Sequence, residues 1–426
     1  MAAADKPPVT GTGSAVADGL LTWVDQRFPL MSNWKSHLAE YYAPKNFNFW
    51  YYFGSLAMLV LVIQIVTGIF LTMNYKPDAA LAFASVEYIM REVPGDWIIR
   101  YMHSTGASAF FICVYLHMFR AMLYGSYRKP RELLWIFGVL IFLTMMGEAF
   151  FGYLLPWGQM SYWGAQVIVN LFAALPVIGP DLAIWIRGDY VISDATLNRF
   201  FAMHVIAVPL VLLGLVAAHL LALHEVGSNN PDGIEISKHK DANGVPLDGI
   251  PFHPYYTVKD TLGVMVFLIV FAIIMFFAPE MGGYFLEYNN FVPADPLKTP
   301  EHIAPVWYFT PFYSILRANT VNFFWIDAKV WGVVAMGASN VIFFLLPWLD
   351  RSPVKSIRYK GPMFKIALAL FVISFLVLGY LGTLTVTEGR TLLSQICTVI
   401  YFAFFILMPW YTSIDKCKPE PERVTH

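Results

Sequence analysis

Long apolar runs recur along this 426-residue chain, separated by shorter segments that hold most of its charged residues and prolines. Each run has about the 20 residues that an α-helix needs to cross the hydrocarbon core of a bilayer. The pattern therefore predicts eight transmembrane helices. We place them at about 49–73, 97–124, 133–155, 197–223, 261–278, 329–348, 362–382 and 392–411.

The composition agrees with this pattern. Hydrophobic residues make up 58% of the chain and charged residues only 13%, against about 25% charged in soluble domains. We therefore expect an all-α integral membrane protein whose first four helices form one bundle. The net charge of −1 gives no electrostatic reason to bind nucleic acid.

Lysines and arginines are unevenly distributed between the two sets of loops. They concentrate in the loops 125–132 and 349–361 and in both tails, whereas the alternate loops hold few. By the positive-inside rule the basic loops and both termini face the cytoplasm. We expect a cytoplasmic segment with an interfacial helix (1–48), a four-helix block (49–224), a polar linker (225–260) and a second four-helix block (261–426), with short interfacial helices in 158–196 and 281–327.

Four of the ten histidines lie within predicted spans: His103 and His117 on the second, His204 and His219 on the fourth. Ionisable groups at this depth are costly and mark a functional site by default. His103 and His117 are 14 residues apart, which is about 21 Å along a helix. Since both helices enter from the same side, His103 with His204 and His117 with His219 can each bind one haem iron from opposite faces. A single membrane histidine is equally well explained by a bond to a carbonyl across a helix interface.

Glycines and arginines accompany these histidines. Two glycine pairs repeat the 14-residue interval and can let a flat macrocycle approach, although small residues also serve ordinary helix packing. Two arginines are placed to pair with haem propionates, although they can also snorkel to the surface. With no C-x-x-C-H motif, any haem is non-covalent. The glycines are Gly54, Gly68, Gly138 and Gly152, and the arginines are Arg100 and Arg120.

The fourth span departs from the spacing of the second. His204 and His219 are 15 residues apart, and Pro209 follows His204 by five. On a regular helix the extra residue would turn one imidazole away from its partner. We therefore predict a π-bulge or a proline kink between His204 and Pro209.

Several motifs together resemble the cytochrome b family of quinol:cytochrome c oxidoreductases, and the insert 234–249 resembles the bacterial form of that family. They are the His-x13-His helix, GYLLPWGQMSYWGA at 152–165, LHEVGSNNP at 223–231, PFHPYYTVKD at 251–260 and PVWY at 305–308. The resemblance implies a subunit of a proton-translocating complex in the bacterial inner membrane that works by a Q cycle. It also implies two b haems, quinol and quinone as substrates, a Rieske-type iron–sulfur subunit, a membrane-anchored c-type cytochrome, bound lipid and a homodimeric complex.

The resemblance further implies two quinone sites on opposite sides of the membrane. Aromatic residues near a surface are otherwise belt residues, and Asp260 could instead cap a helix. The outer, quinol-oxidising site would include Tyr153, Gly164, Pro305, Trp307 and Tyr308, and the inner, quinone-reducing site Ser55, His224, Lys259 and Asp260.

One position departs from the family pattern. The family's motif has a glutamate after the proline, whereas this chain has Val306, which cannot accept a proton. We hypothesise that Glu148, an acid within the third span, supplies the missing carboxylate. The alternative is a buried structural acid paired within the bundle.

Two other functions would also explain membrane histidines. A di-haem anchor of a dehydrogenase would need the haem ligands but not both quinone motifs, at 251–260 and 305–308. A transporter would use the histidines as a proton relay, and it predicts inverted repeats that we do not find.

Overall fold

The computed structural model describes residues 13–31, 41–322 and 324–425. Within these ranges eight helices are long and apolar enough to cross a membrane, which confirms the predicted number. We number them spans 1 to 8. They are Phe49–Thr72, Asp96–Tyr124, Glu132–Leu154, Asp194–Val226, Phe252–Phe277, Ala328–Leu349, Pro362–Gly382 and Glu388–Ile406.

The predicted ends hold to within a few residues except at span 5. This span begins at Phe252 rather than at 261, because a π-helical turn, Phe252–Tyr256, precedes the regular helix Thr257–Phe277. Hydrophobicity alone did not predict this turn, because residues 251–260 include prolines and polar residues. Lys259 and Asp260 therefore lie inside the first turns of the span rather than before it.

Shorter elements complete the structure. The segments 158–196 and 281–327 form short helices, as predicted, and one antiparallel strand pair joins Tyr42–Pro44 to Gly249–Pro251. The additional α-helices are Ala15–Arg27, Ala82–Arg91, Gln159–Phe172, Gly179–Arg187, Thr310–Ala318 and Met408–Ile414. The short 3-10 turns are Ile236–Lys238, Met281–Gly283, Tyr288–Phe291 and Trp307–Phe309.

The ends of span 2 follow from its sequence. It starts after Gly95 and stops at Gly125, which have φ values of 84° and 65°, in the left-handed region where glycine carries little strain. A β-carbon on Gly125 would lie 2.6 Å from the carbonyl oxygen of Lys355. The glycine thus both ends the helix and lets the loop 349–361 pack closely against it.

Span 4 contains the predicted irregularity. The helix Asp194–Ala202 passes into a π-helical turn, Met203–Ala207, before Val208–Val226 continues with Pro209 in its first turn. A π turn accommodates one additional residue. The prediction of a π-bulge between His204 and Pro209 is confirmed, and it lets His204 and His219 face the same interior.

The spans pack around aromatic cores. Span 1 lies against span 2, and span 3 against span 4. Phe111 and Phe142 are buried between the first three spans together with Tyr308 and Phe312. The helix Thr310–Ala318 packs between spans 6, 7 and 8, and so joins the second block to the outer pocket region.

The segment just before span 1 and the tail after span 8 meet at one end of the bundle. Arg423 donates to both carboxylate oxygens of Asp248, at 2.6 and 2.9 Å, and Lys45 lies 3.1 Å from the same carboxylate. We call this the basic end, comprising Lys45, 125–131, 227–251, 350–361 and 415–425. An even number of spans returns the chain to the side on which it started, which explains why Lys45, before span 1, and Arg423, after span 8, lie at the same end. Lys35, one of the basic tail residues, lies outside the described residues.

The loop 225–260 is held firmly at the basic end. Glu235 accepts from Arg131 at 2.6 Å and from Lys355 at 2.6 Å. Burial alone would raise the pKa of Glu235, but the two cations lower it to about 2. Its contribution to stability is therefore present above the ordinary glutamate pKa and is lost as the pH falls toward 2.

Candidate functional site

The four histidines of spans 2 and 4 form two facing pairs. The ring centroids of His103 and His204 are 6.1 Å apart, and those of His117 and His219 are 6.3 Å apart. A metal–imidazole bond of about 2 Å on each side, plus the distance from nitrogen to ring centre, gives a centroid separation of about 6 Å. Each pair thus leaves the space that one metal needs between two imidazoles.

Two of the four imidazoles, those of His103 and His204, have polar partners at Nδ1, whereas the buried Nδ1 of His219 has none among the described residues. His103 Nδ1 lies 2.9 Å from the hydroxyl of Thr67. His204 Nδ1 lies 3.0 Å from the carbonyl oxygen of Glu148 and 2.9 Å from its carboxylate. Metal-binding histidines are usually oriented by such bonds at their second nitrogen. In both residues Nε2 is therefore left as the ligating atom.

A glycine backs each imidazole. A β-carbon added to Gly54, Gly68 or Gly138 would lie 3.2 to 3.4 Å from Cε1 of His117, His103 or His219, respectively. These glycines therefore make room for the imidazole rings, and their role beside a macrocycle stays a prediction. A haem is still accommodated, because each ring can lie close to the neighbouring helix and leave the gap between the rings open.

Gly152 is the most crowded of the four glycines. A β-carbon there would lie 2.8 Å from Nδ1 of His204, well inside van der Waals contact. We expect Gly152→Ala to displace His204 and to lower occupancy of the outer haem severalfold, as measured by the haem b spectrum per mole of protein. Gly214→Ala is the matched control, since nothing lies within 4 Å of its added β-carbon. Equal haem content in the two variants would contradict the expectation.

The two arginines lie at opposite ends of the bundle. Arg100 lines a cavity of about 210 Å³ beside Tyr101 and Pro156. Arg120 stacks over the ring of Tyr51 and donates to Ser126 Oγ at 3.3 Å. Among the described residues, the buried Nε of Arg120 has no hydrogen-bond partner. A propionate-like carboxylate would supply one.

The outer end brings several predicted residues together. Tyr308 stacks on Phe111 with a centroid distance of 3.9 Å, and Trp307 donates to Ser108 Oγ at 3.0 Å. A β-carbon on Gly164 would lie 3.6 Å from the ring of Tyr153, so this glycine lies against that tyrosine. Pro305 lies next to Val306, which is 4% exposed and packs among apolar residues.

Tyr153 has a partner that sequence reasoning missed. Its hydroxyl donates to Oε2 of Glu287 at 2.5 Å. A lone acid in the aromatic stretch YFLEYNNF was the available signal. Such an acid on a loop otherwise suggests a solvated side chain.

Glu148 lies against His204 rather than in this outer cluster. Its carboxylate is 2.9 Å from Nδ1 of His204 and is 19% exposed. This contact favours the alternative stated above, a structural acid paired within the bundle, over a role in the quinol pocket.

The inner end holds a second cluster. Lys259 and Asp260 line a cavity of about 150 Å³, together with Tyr52 and Tyr256. The hydroxyl of Ser55 donates to the carbonyl oxygen of Tyr52, a residue that lines this cavity, at 3.0 Å. These groups can donate and accept protons at the membrane surface.

His224 is placed differently from the other inner residues. Its Nδ1 lies 2.8 Å from the carbonyl oxygen of Leu220, and its ring makes an edge contact with Tyr41 at 5.2 Å. It does not line the 150 Å³ cavity. Two of the four predicted inner residues, Lys259 and Asp260, therefore line this cavity, and the assignment of Ser55 and His224 to the same site stays a prediction.

Comparisons with known proteins agree with this architecture. Residues 38–227 match the family model described as Cytochrome b/b6/petB, and residues 293–402 match Cytochrome b(C-terminal)/b6/petD. The chain is 66% identical to cytochrome b of Allochromatium vinosum over 95% of this chain and 98% of that protein. It is 47% identical to cytochrome b of Rhodospirillum rubrum, covering 95% and 96% of the two chains. A solved chain of a hyperthermophilic respiratory Complex III superposes with a TM-score of 0.82 at 41% identity, covering 92% of this chain and 98% of that one.

Proposed function

We propose that this chain, which belongs to the cytochrome b family, is the di-haem subunit of a proton-translocating quinol:cytochrome c reductase. Its family and fold are those of cytochrome b of a respiratory Complex III, a multi-pass membrane oxidoreductase that binds haem. The observation that carries the finer proposal is the pair of facing histidine couples on spans 2 and 4, with ring centroids 6.1 and 6.3 Å apart.

The chain's own residues would hold two non-covalent b haems. Nε2 of His103 and His204 would ligate the outer iron, and Nε2 of His117 and His219 the inner one. Arg100 and Arg120 would receive the propionates. When bound, the haems supply one-electron carriers between the two sides of the membrane.

Two quinone sites complete the proposed Q cycle. Quinol would be oxidised at the outer end, beside Tyr153 and Tyr308 in a pocket that also includes Gly164, Pro305 and Trp307. Quinone would be reduced at the basic end, where Asp260 and Lys259 supply protons and hydrogen bonds. This direction places the basic end in the cytoplasm, in agreement with the positive-inside rule.

The proposed setting is a dimeric complex in the bacterial inner membrane. A Rieske-type iron–sulfur subunit would take one electron from quinol and pass it to a membrane-anchored c-type cytochrome, while lipid surrounds the spans. The second electron would move inward through this chain. Since that movement opposes a potential positive outside by about 2.3 kcal/mol per 100 mV for a full crossing, we expect the inner haem to have the higher reduction potential.

The test is a reduced-minus-oxidised spectrum of the purified complex, combined with quinol:cytochrome c turnover. We expect two b haems per chain and turnover that depends on added quinol. A dehydrogenase anchor would retain the haems but would not reduce cytochrome c with quinol. Absence of a haem b band would contradict the proposal altogether.

Glu148 allows a separate prediction. A carboxylate that accepts a hydrogen bond from the ring of His204 makes the imidazole a stronger electron donor, which favours oxidised iron. We expect Glu148→Gln to raise the midpoint potential of the outer haem while both haems remain, as measured by redox titration. Glu132→Gln, at the inner end of the same span, is the control. An unchanged potential with strongly slowed quinol oxidation would instead support the original assignment of Glu148 to the quinol pocket.

A further inference from the structure

The loop that follows span 5 sends one acidic side chain into the bundle. Glu287 lies between the turns Met281–Gly283 and Tyr288–Phe291, and its carboxylate contacts Tyr153 at the outer end of span 3. The O–O distance of 2.5 Å makes this a short hydrogen bond in which the phenol donates. The bond joins an outer loop to the span that backs His204.

The backbone on the C-terminal side of Glu287 is fixed by several contacts with the helix Gln159–Phe172. Gln159 donates its backbone N–H to the carbonyl of Val292 at 2.9 Å. The side-chain oxygen of Asn290 accepts from the backbone N–H of Ser161 at 2.8 Å. The carboxylate of Glu287 is therefore held in place by the segment that carries it and does not depend on Tyr153 alone.

A carboxylate at this position supplies the acidic group that the PVWY motif lacks. Val306 offers only methyl groups and is buried, so the motif itself cannot accept a proton. Two other acids of this region are already paired, Glu148 with His204 and Glu87 with Arg91. Glu287 contacts Tyr153, which packs against the apolar cluster that contains Tyr308, so it belongs to the same region as the two proposed pocket tyrosines.

From this arrangement we infer that Glu287 is the proton acceptor for quinol at the outer site, in place of the carboxylate that Val306 lacks. This inference rests on the proposed function. Quinol oxidation releases two protons and two electrons and yields quinone. The electrons leave to the iron–sulfur partner and the outer haem, one proton leaves with the first electron, and the carboxylate of Glu287 takes the second proton and later releases it to the outer water.

The surroundings of Glu287 suit this role. Burial raises the pKa of Glu287 to about 7, against the opposing effect of the hydrogen bond from Tyr153. The facing titratable groups are Tyr153 and Tyr308. The cavity lined by its neighbours Leu286 and Asn290 also holds Arg100 and the mutually paired Glu87 and Arg91. A base is most effective when its pKa lies near the working pH.

The pKa of Glu287 determines how the rate of quinol oxidation depends on pH. Below a pH of about 7 the carboxylate is already protonated and cannot accept a proton. Quinol oxidation should therefore rise as the pH increases through this range and then level off. Tyr153→Phe removes a hydrogen bond that lowers the pKa of Glu287, so the rising limb should shift to higher pH.

The principal variant is Glu287→Gln in the full complex. Its amide oxygen can still accept from Tyr153, so the loop contact is preserved while proton acceptance is lost. We expect turnover to fall about 100-fold with unchanged haem content, and the rise near neutral pH to disappear. Glu301→Gln, an exposed acid on the same outer segment, is the matched control and should remain fully active.

A double variant distinguishes the loss of a proton acceptor from structural damage. Adding Val306→Glu to Glu287→Gln returns a carboxylate to the motif and should restore much of the lost turnover. Full activity of Glu287→Gln, or a loss of haem and assembly that Val306→Glu does not repair, would overturn the inference and leave the proposed function standing. If the wild-type complex itself does not oxidise quinol, the proposed function fails instead.

Discussion

His204→Ala is expected to remove one b haem from the protein and leave the other in place. The partner His103 would then face an open gap, and one imidazole cannot hold a bis-histidine haem. The inner pair, His117 and His219, lies further along the same two helices. It keeps its geometry in this variant. Haem content should therefore fall from two per chain to one, as measured by the reduced haem b spectrum against protein concentration.

The control for this variant is His239→Ala, which removes an exposed histidine on the loop 225–260. It should retain both haems. If His204→Ala also retained both haems with unchanged spectra, the assignment of the outer pair would be wrong. Loss of both haems would indicate that the two layers assemble together, and the spectrum of the purified variant distinguishes these outcomes.

Asp260→Asn is expected to slow quinone reduction at the basic end by about 100-fold, the usual range for loss of one proton-transferring group. Asp260 lines the inner cavity beside Lys259. The neutral amide keeps the size of the side chain but cannot deliver a proton. The measurement is the rate at which added quinone reoxidises the pre-reduced inner haem while the outer site is inhibited.

Asp241→Asn, on an exposed part of the loop 225–260, is the control. Asp260 also lies in the first turn of the helix Thr257–Phe277, where an acid favours the helix dipole by about 0.3–1 kcal/mol. If that were its whole role, Asp260→Asn would lower thermal stability slightly and leave quinone reduction unchanged. Such a result would remove Asp260 from the inner site.

The quinone-site residues differ in how far the sequence located them. The motifs at 251–260 and 305–308 marked Asp260, which lines a cavity, and Tyr308, which stacks on Phe111, and their quinone roles stay predictions. His224, assigned to the same inner site as Asp260, has its ring against Tyr41. Helix periodicity predicts which face a residue lies on, whereas the direction of a side chain at a helix end depends on the loops packed around it.

The sequence by itself determined the eight spans, the two layers of histidines and the distortion of span 4. Each follows from local rules: the length of an apolar run, the number of residues per turn and one additional residue between His204 and His219. Only the tertiary structure decided that glycines such as Gly152 back imidazoles, that Glu148 contacts His204 and that Glu287 reaches Tyr153. Glu287 and Tyr153 are separated by 134 residues. No local pattern encodes such a pairing, because it depends on how a loop folds back over helices that have already packed.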